Sequence, residues 1–227
     1  MKILIATTSC DTLAEGHRTG LWLEEFAVPF YKFLASGASI VVASPNGGMV
    51  PLDPKTKPTE EQKVEWAEAL KALQQTKRLS EVNVDGIDGI FIPGGHGPMI
   101  DLVFNQHLIK LIEDLDRKSG IIAAVCHGPV ALLNARNRSN EPFVTGRKVT
   151  GFSNLEEAFV LLHQVVPFLL EDELKAKGGK YESSLIPMVA HVVRDGNLIT
   201  GQNPSSSRKL ADEMIAALRN NPVKASR

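Results

Sequence analysis

The stretch Gly120-Ile121-Ile122-Ala123-Ala124-Val125-Cys126-His127-Gly128-Pro129-Val130-Ala131-Leu132-Leu133-Asn134-Ala135 decides how the chain is read. Five apolar residues, Ile121 to Val125, have the pattern of a strand buried on both faces of a parallel sheet. Cys126 follows at once, and Pro129 is placed to open a helix through Leu133. A thiol on a sharp strand-to-helix turn stands clear of the backbone beside a helix N-terminus, whose dipole favours an anion. The expectation is a thiol pKa drawn down from ~8.5 towards neutrality. Cysteine is also a common small core residue. That competing reading is weakened by the flanks, a saturated apolar strand before Cys126 and His-Gly-Pro after it.

Outward from this stretch, strands and helices alternate. Lys2 to Thr7, Ser39 to Ser44 and Gly89 to Pro93 read as further core strands. Helices are expected from about Gly20 to Ala35, with a kink or division at Pro29, and from Thr59 to Leu73. In the second of these Val64, Trp66, Ala67, Leu70 and Leu73 are candidate buried positions. A further helix, Asn105 to Lys118, carries an apolar face of Leu108, Ile109, Leu111, Ile112 and Leu115. Later come one or two short strands around Gly146, helices over Asn154 to His163 and Pro167 to Lys177, and a hairpin turning at Asp195-Gly196. The last helix starts near Asn203-Pro204. This order predicts a three-layer α/β/α sandwich with a mostly parallel sheet and a C-terminal antiparallel pair. Residues 1–227 read as one domain, with about 50–75 as a possible insertion covering the site.

The 227 residues suffice for a sizeable core. A net charge of −1 gives no case for binding nucleic acid or an anionic membrane. Two cysteines are too few for a disulfide framework and point to a reducing, cytoplasmic setting. No apolar run reaches membrane-spanning length. The histidines show no metal-ligand spacing and no Cys-x-x-Cys occurs, so no metal is expected.

Ligand sites in such sheets lie beyond the carboxyl ends of the strands. Three loops should converge there: Thr8–Thr19, Gly94-Gly95-His96-Gly97-Pro98 and Cys126–Gly128. The glycines at 94, 95 and 97 either bring backbone N–H groups close to a substrate oxygen or simply make a tight turn. His96 either lines the pocket or decorates that turn. Cys10 is the weaker thiol, peripheral on this layout.

The blocks Thr19-Gly20…Glu24-Glu25…Pro29, Pro93-Gly94-Gly95-His96-Gly97, Ala124-Val125-Cys126-His127-Gly128-Pro129, Thr150-Gly151-Phe152-Ser153-Asn154 and Thr200-Gly201-Gln202-Asn203-Pro204 resemble the ThiJ/PfpI superfamily. Within it the chain is similar to the heat-shock chaperone branch with glyoxalase III activity. The resemblance implies a flavodoxin-like fold, Cys126 as nucleophile and His127 as its basic partner. It implies Glu25 against the thiol, with Glu24 the neighbouring competitor about 100° away on a helix. It also implies an acidic residue orienting His127, for which alignment from Gly151 favours Glu157. Ser153 with Glu156, or Asn154 with Glu157, could equally form a helix cap.

The function implied is a cofactor-independent glyoxalase acting on a small aldehyde, methylglyoxal or glyoxal, with possible deglycase activity and a homodimeric state. Gly94, Gly95 and His96 would form its substrate or oxyanion site. Two other classes stay open, a stress chaperone or redox sensor without turnover, and a PfpI-type cysteine peptidase or amidase. A glutaminase is disfavoured, because no His is followed two residues later by Glu.

Overall fold

The computed structural model describes residues 1–220. Strands β1 (Lys2–Ala6) and β2 (Ser39–Ser44) are joined by helix α1 (Leu23–Ala35), which runs on as one helix through Pro29. Two short helices follow, α2 (Glu60–Glu65) and α3 (Ala67–Gln74), then an edge strand β3 (Lys77–Arg78). Next come β4 (Gly89–Ile92), α4 (Pro98–Asp101), α5 (Gln106–Arg117) and β5 (Ile121–Val125). The C-terminal third holds β6 (Lys148–Val149), α6 (Asn154–Phe159), α7 (Leu170–Ala176) and β7 (Lys180–Tyr181). It closes with β8 (Val192–Asp195), β9 (Leu198–Gly201) and α8 (Ser207–Asn220).

Seven strands form one sheet in the order β3-β2-β1-β4-β5-β9-β8. Every pairing is parallel except β8 with β9, the hairpin that turns at Asp195-Gly196. The period-two alternation of β5 divides it between two cores. Ile121, Ala123 and Val125 join Phe26, Phe33, Leu210 and Met214 under α1 and α8. Ile122 and Ala124 join Leu108, Ile112 and Leu115 of α5 on the other face. A sheet covered on both sides is what an unbroken apolar strand requires.

Several local expectations give way to tertiary context. The helix expected over Thr59 to Leu73 starts with Thr59 and Gln62 capping each other but breaks at Trp66. The break changes the helical phase, so Trp66, Ala69 and Leu73 are buried while Val64 is 80 % exposed and Ala67 also faces solvent. The helix after Cys126 is a single 3₁₀ segment, Gly128–Leu132. Helix α6 ends at Phe159 rather than His163, because Leu161 takes a left-handed φ of 61°. The strand near Gly146 is β6, and it pairs with β7 in a separate two-stranded sheet.

Phe91, fully buried on β4, meets the Phe33 ring edge-on at 5.4 Å between centroids. Phe91→Ala should cost about 3–5 kcal/mol of stability, the range for emptying a packed aromatic site, read as a drop in urea midpoint. A loss below about 1 kcal/mol would show that this core face collapses to fill the space.

Candidate active site

The site grows out of the end of β5. The Cys126 amide donates to the Gly201 carbonyl at 2.9 Å, extending the β5–β9 ladder by one residue. The chain then turns sharply, with Cys126 at a φ of 58°. A left-handed non-glycine residue stores on the order of 1–3 kcal/mol, which surrounding contacts must hold. The Cys126 carbonyl supplies one of them, accepting from the Phe152 amide at 2.9 Å.

Glycine makes the approach possible. A Cβ on Gly94 would stand 2.7 Å from the His127 amide nitrogen and 2.9 Å from both Cys126 Cβ and Glu25 Oε2. A Cβ on Gly95, whose φ is 84°, would lie 2.2 Å from the Gly20 carbonyl oxygen. The three sequence loops therefore meet backbone to backbone. The first of them is tied down by Asp101, which accepts from Thr8 Oγ1 at 2.8 Å and the Ser9 amide at 2.6 Å.

Glu25 is fully buried in α1 and Glu24 faces solvent, so helix phase decides between the two neighbours. Glu25 Oε2 accepts from the Gly94 amide at 2.7 Å, and Oε1 has no hydrogen-bond partner. Burial, acting against the hydrogen bonds from Gly94 and Cys126, pushes its pKa to about 8. At neutral pH this is a protonated carboxyl beside a thiol. Burial, with the Glu25 carboxyl next in weight, also pushes the Cys126 thiol well above its ordinary value, while the Gly95 amide partly offsets this. The lowered thiol pKa expected from the sequence is therefore not found. The helix N-terminus that was to supply it is one 3₁₀ segment, and Cys126 is only 3 % exposed.

His127 Nδ1 lies 3.3 Å from Cys126 Sγ, and its Nε2 lies 2.7 Å from Glu157 Oε2. The other oxygen of Glu157 is 2.9 Å from His96 Nε2. Burial would raise Glu157, but the imidazoles of His127 and His96 more than offset it and hold the carboxylate well below its usual range. An ionised carboxylate only accepts, so both Nε2 atoms carry hydrogens and Nδ1 is the His127 ring nitrogen turned to the thiol. Burial, and then the neighbouring His127, lowers the His96 pKa against the opposing pull of Glu157. Among the described residues, His96, His127 and Glu157 are the one set of three possible metal ligands that converge, with donor atoms within 4.8 Å of one another. Those atoms are already hydrogen-bonded together.

Glu156 takes the other course left open by the sequence. Its Oε2 accepts from the Ser153 amide and hydroxyl at 3.0 and 2.9 Å, closing a capping box at the start of α6. Its Oε1 accepts from the Met188 amide at 2.9 Å and from Asn203 Nδ2 at 2.8 Å. Adjacent carboxylates thus divide the work, one holding histidines and one holding loops.

Cys126 and His127 sit at the base of a cavity of about 80 Å³. His17, Thr19, Asp53 and Lys55 form one side, so residues 53–55 of the suspected insertion reach the site. Helices α2 and α3 lie elsewhere, α3 packing against α1. Gly95 and His96 line the cavity, and Cys10 does not; its thiol donates to the Thr12 carbonyl. Sequence reading missed Phe152 as a site residue, although its ring lies 4.6 Å from that of His127 and it belongs to a quoted motif. Met188 and Asp53 carried no sequence signal.

Such a fold, with a cysteine on the turn after a central strand and an imidazole–carboxylate pair behind it, defines a doubly wound α/β protein with a cysteine elbow. The chain belongs to the DJ-1/PfpI family, whose model matches residues 19–217. The crystal structure of glyoxalase III from Candida albicans superposes with a TM-score of 0.89 at 28 % identity, covering 97 % of this chain and 98 % of that one. That of the Francisella tularensis Rapid Encystment Protein 24 kDa gives a TM-score of 0.90 at 34 % identity, covering 96 % and 98 %. The glutathione-independent glyoxalase HSP31 of Saccharomyces cerevisiae is 27 % identical over 241 residues, spanning 96 % of this chain and 98 % of its own. No helix among the described residues is long and apolar enough to cross a membrane.

Folding binds a proton at Glu25, because the group leaves its ordinary value of 4.5 for about 8. Its contribution to stability is full below about pH 4.5 and lost as pH rises to about 8. Urea midpoints should fall across that window in the wild type and fall less steeply in Glu25→Gln. Equal slopes would mean that Glu25 is ionised in the folded protein. Glu157 acts with the opposite sign, adding stability above the ordinary carboxylate pKa that is lost as pH falls below it.

Proposed function

We propose that this chain is a glyoxalase that adds water to methylglyoxal or glyoxal to give lactate or glycolate without a cofactor. The observation that carries the proposal is a buried thiol 3.3 Å from Nδ1 of a histidine whose Nε2 is held by an ionised carboxylate. Attack of Cys126 Sγ on the aldehyde carbon sends the thiol proton to His127 Nδ1, which passes it on to the new oxygen, so that the hemithioacetal is neutral and His127 is again free to act as a base. Glu25, protonated beside the thiol, hydrogen-bonds the new oxygen, with the Gly95 and His127 amides as further donors. His127 then moves the hydrogen from the former aldehyde carbon to the adjacent carbon through an enediol. The product is a 2-hydroxy thioester. Water releases the acid and restores the thiol, so the sequence is redox-neutral overall and needs only a nucleophile, acids and bases.

The names of the two glyoxalase relatives support this chemistry. A deglycase activity would begin with the same thiol addition. A nucleophile 3 % exposed at the base of a cavity suits a small carbonyl better than the extended polypeptide a peptidase must admit. A chaperone role is the second reading, favoured by exposed side chains such as Phe159 and Leu185 at 70 % and 94 %. Two free cysteines fit the cytoplasm, and the homodimer follows from the family resemblance.

The test is lactate formed from methylglyoxal without glutathione or added metal. Cys126→Ala should abolish it, and Glu157→Gln should lower kcat by about 10²-fold or more by freeing the His127 ring. Lactate at the wild-type rate from Cys126→Ala, or none from folded wild type with a reduced thiol, would reject the proposal.

A further inference from the structure

Among the described residues, six of the ten large apolar side chains that stand exposed fall in two short segments, Leu155, Phe159 and Leu161 in one and Leu185, Ile186 and Val189 in the other. Hydrogen bonds join the two segments into one face. The Met188 amide donates to Glu156 Oε1 at 2.9 Å, and Asn203 Nδ2 donates at 2.8 Å both to that oxygen and to the Val189 carbonyl. Leu155 and Phe159, four residues apart, share the outward side of α6. The six side chains together expose ~700 Å², close to the ~800 Å² that each partner gives to a standard interface.

The face carries no surface charge. Residues 183–190, Ser-Ser-Leu-Ile-Pro-Met-Val-Ala, contain no ionisable side chain, and the two charged residues within 153–162, Glu156 and Glu157, are buried. Charge returns at the edges, where Asn154 Nδ2 donates to Asp172 and Lys148 pairs with Glu182. An apolar centre inside a charged rim is the anatomy of a stable protein interface. A membrane-seated face would bring Lys and Arg beside its apolar side chains, and a face for unfolded clients would be adaptable rather than pinned to a buried carboxylate. Without charge there is no electrostatic pattern to select an unlike partner, whereas an apolar face is complementary to its own copy across a two-fold axis.

Leu161 adds an independent sign. It follows α6 with a φ of 61°, in a conformation that glycine takes without strain, and its side chain is 77 % exposed. In a lone protomer the strained turn holds a leucine out in water; against a second copy it presents that leucine for burial. The inner sides of the same segments form part of the active-site wall. Val160 and Leu162 line the cavity in alternation with outward Phe159 and Leu161, and Met188 lines it between outward Ile186 and Val189.

We propose that this face is the contact surface of a homodimer, and that the partner copy, pressed on its outer side, holds the wall of the active-site cavity in place. The association is independent of the glyoxalase reading, and only the activity arm of the test rests on it.

The test is sedimentation velocity at micromolar concentration on wild type, on Phe159→Glu combined with Leu185→Glu, on Leu161→Asn, and on Val64→Glu as the control. Wild type should run at twice the chain mass, and so should the control, whose residue is an equally exposed apolar one on α2. The double variant sets like charges against each other, should raise the dissociation constant by about 100-fold or more, and should run as a monomer. Both of its side chains already stand in water, so its far-UV circular dichroism should match the wild type. Leu161→Asn keeps a residue that tolerates the left-handed turn while removing the apolar side chain, and should weaken the dimer by about ten-fold. Turnover of methylglyoxal per site should fall about ten-fold in the monomeric variant, as when a site slips from its working geometry, and should recover with protein concentration in Leu161→Asn. A monomeric wild type, or a dimer that both variants leave intact, overturns the interface. A wild type that stays monomeric but keeps a heat-denatured protein soluble through these residues also overturns it, and gives the face to clients. Full activity per site in a monomeric variant overturns the bracing of the wall. Lactate from none of the proteins overturns the glyoxalase reading, and sedimentation still decides the interface.

Discussion

One buried carboxylate, Glu157, accepting from two imidazoles, sets the character of the site. It fixes the hydrogen on Nε2 of His127 and so points the basic nitrogen at sulfur. Glu25, equally buried, meets no imidazole and only one backbone donor, and so keeps its proton at neutral pH. Two carboxyl groups of the same type are thereby separated into an ionised acceptor and a neutral donor by their surroundings alone, as acid–base sites require. Neither assignment depends on an unusual residue. Each depends on what α1 and α6 place beside the side chain.

The thiol itself is not poised as an anion. Burial and the neighbouring carboxyl favour the neutral form. In the reaction proposed above, the nucleophile is generated as it reacts, with the proton passing to His127 across 3.3 Å. The arrangement exchanges a standing thiolate, exposed to oxidants, for one that exists only when an electrophile is present. It also explains the close packing around Gly94, since a thiol of this kind is kept from water by backbone pressed against it.

The α/β architecture and the position of the elbow were legible in the sequence because apolar strands and a Gly-rich turn leave strong local signals. The edge strand Lys77–Arg78, which is short, polar and exposed, left none. The break at Trp66 was hidden because tertiary packing selected Trp66 and Ala69 over Val64 for burial, a choice no periodicity records. In the site, the family resemblance narrowed the acids to Glu24 or Glu25 and to Glu156 or Glu157. Burial separates the first pair. The second pair is buried on both counts, and only the capping bond of Glu156 to Ser153 and the imidazole contacts of Glu157 tell the two apart. The thiol pKa runs against the sequence expectation because burial of Cys126, not legible in the sequence, and the Glu25 carboxyl beside it outweigh a helix start that is only a short 3₁₀ segment.

The bond from the Cys126 amide to the Gly201 carbonyl has a consequence for biosynthesis. The strand that buttresses the elbow is the last in the sheet to be translated, and β9 also pairs with the antiparallel edge. A nascent chain that has not yet emerged past Gly201 lacks the carbonyl that accepts from the Cys126 amide. The full set of contacts at the elbow therefore exists only once β9 has paired with β5.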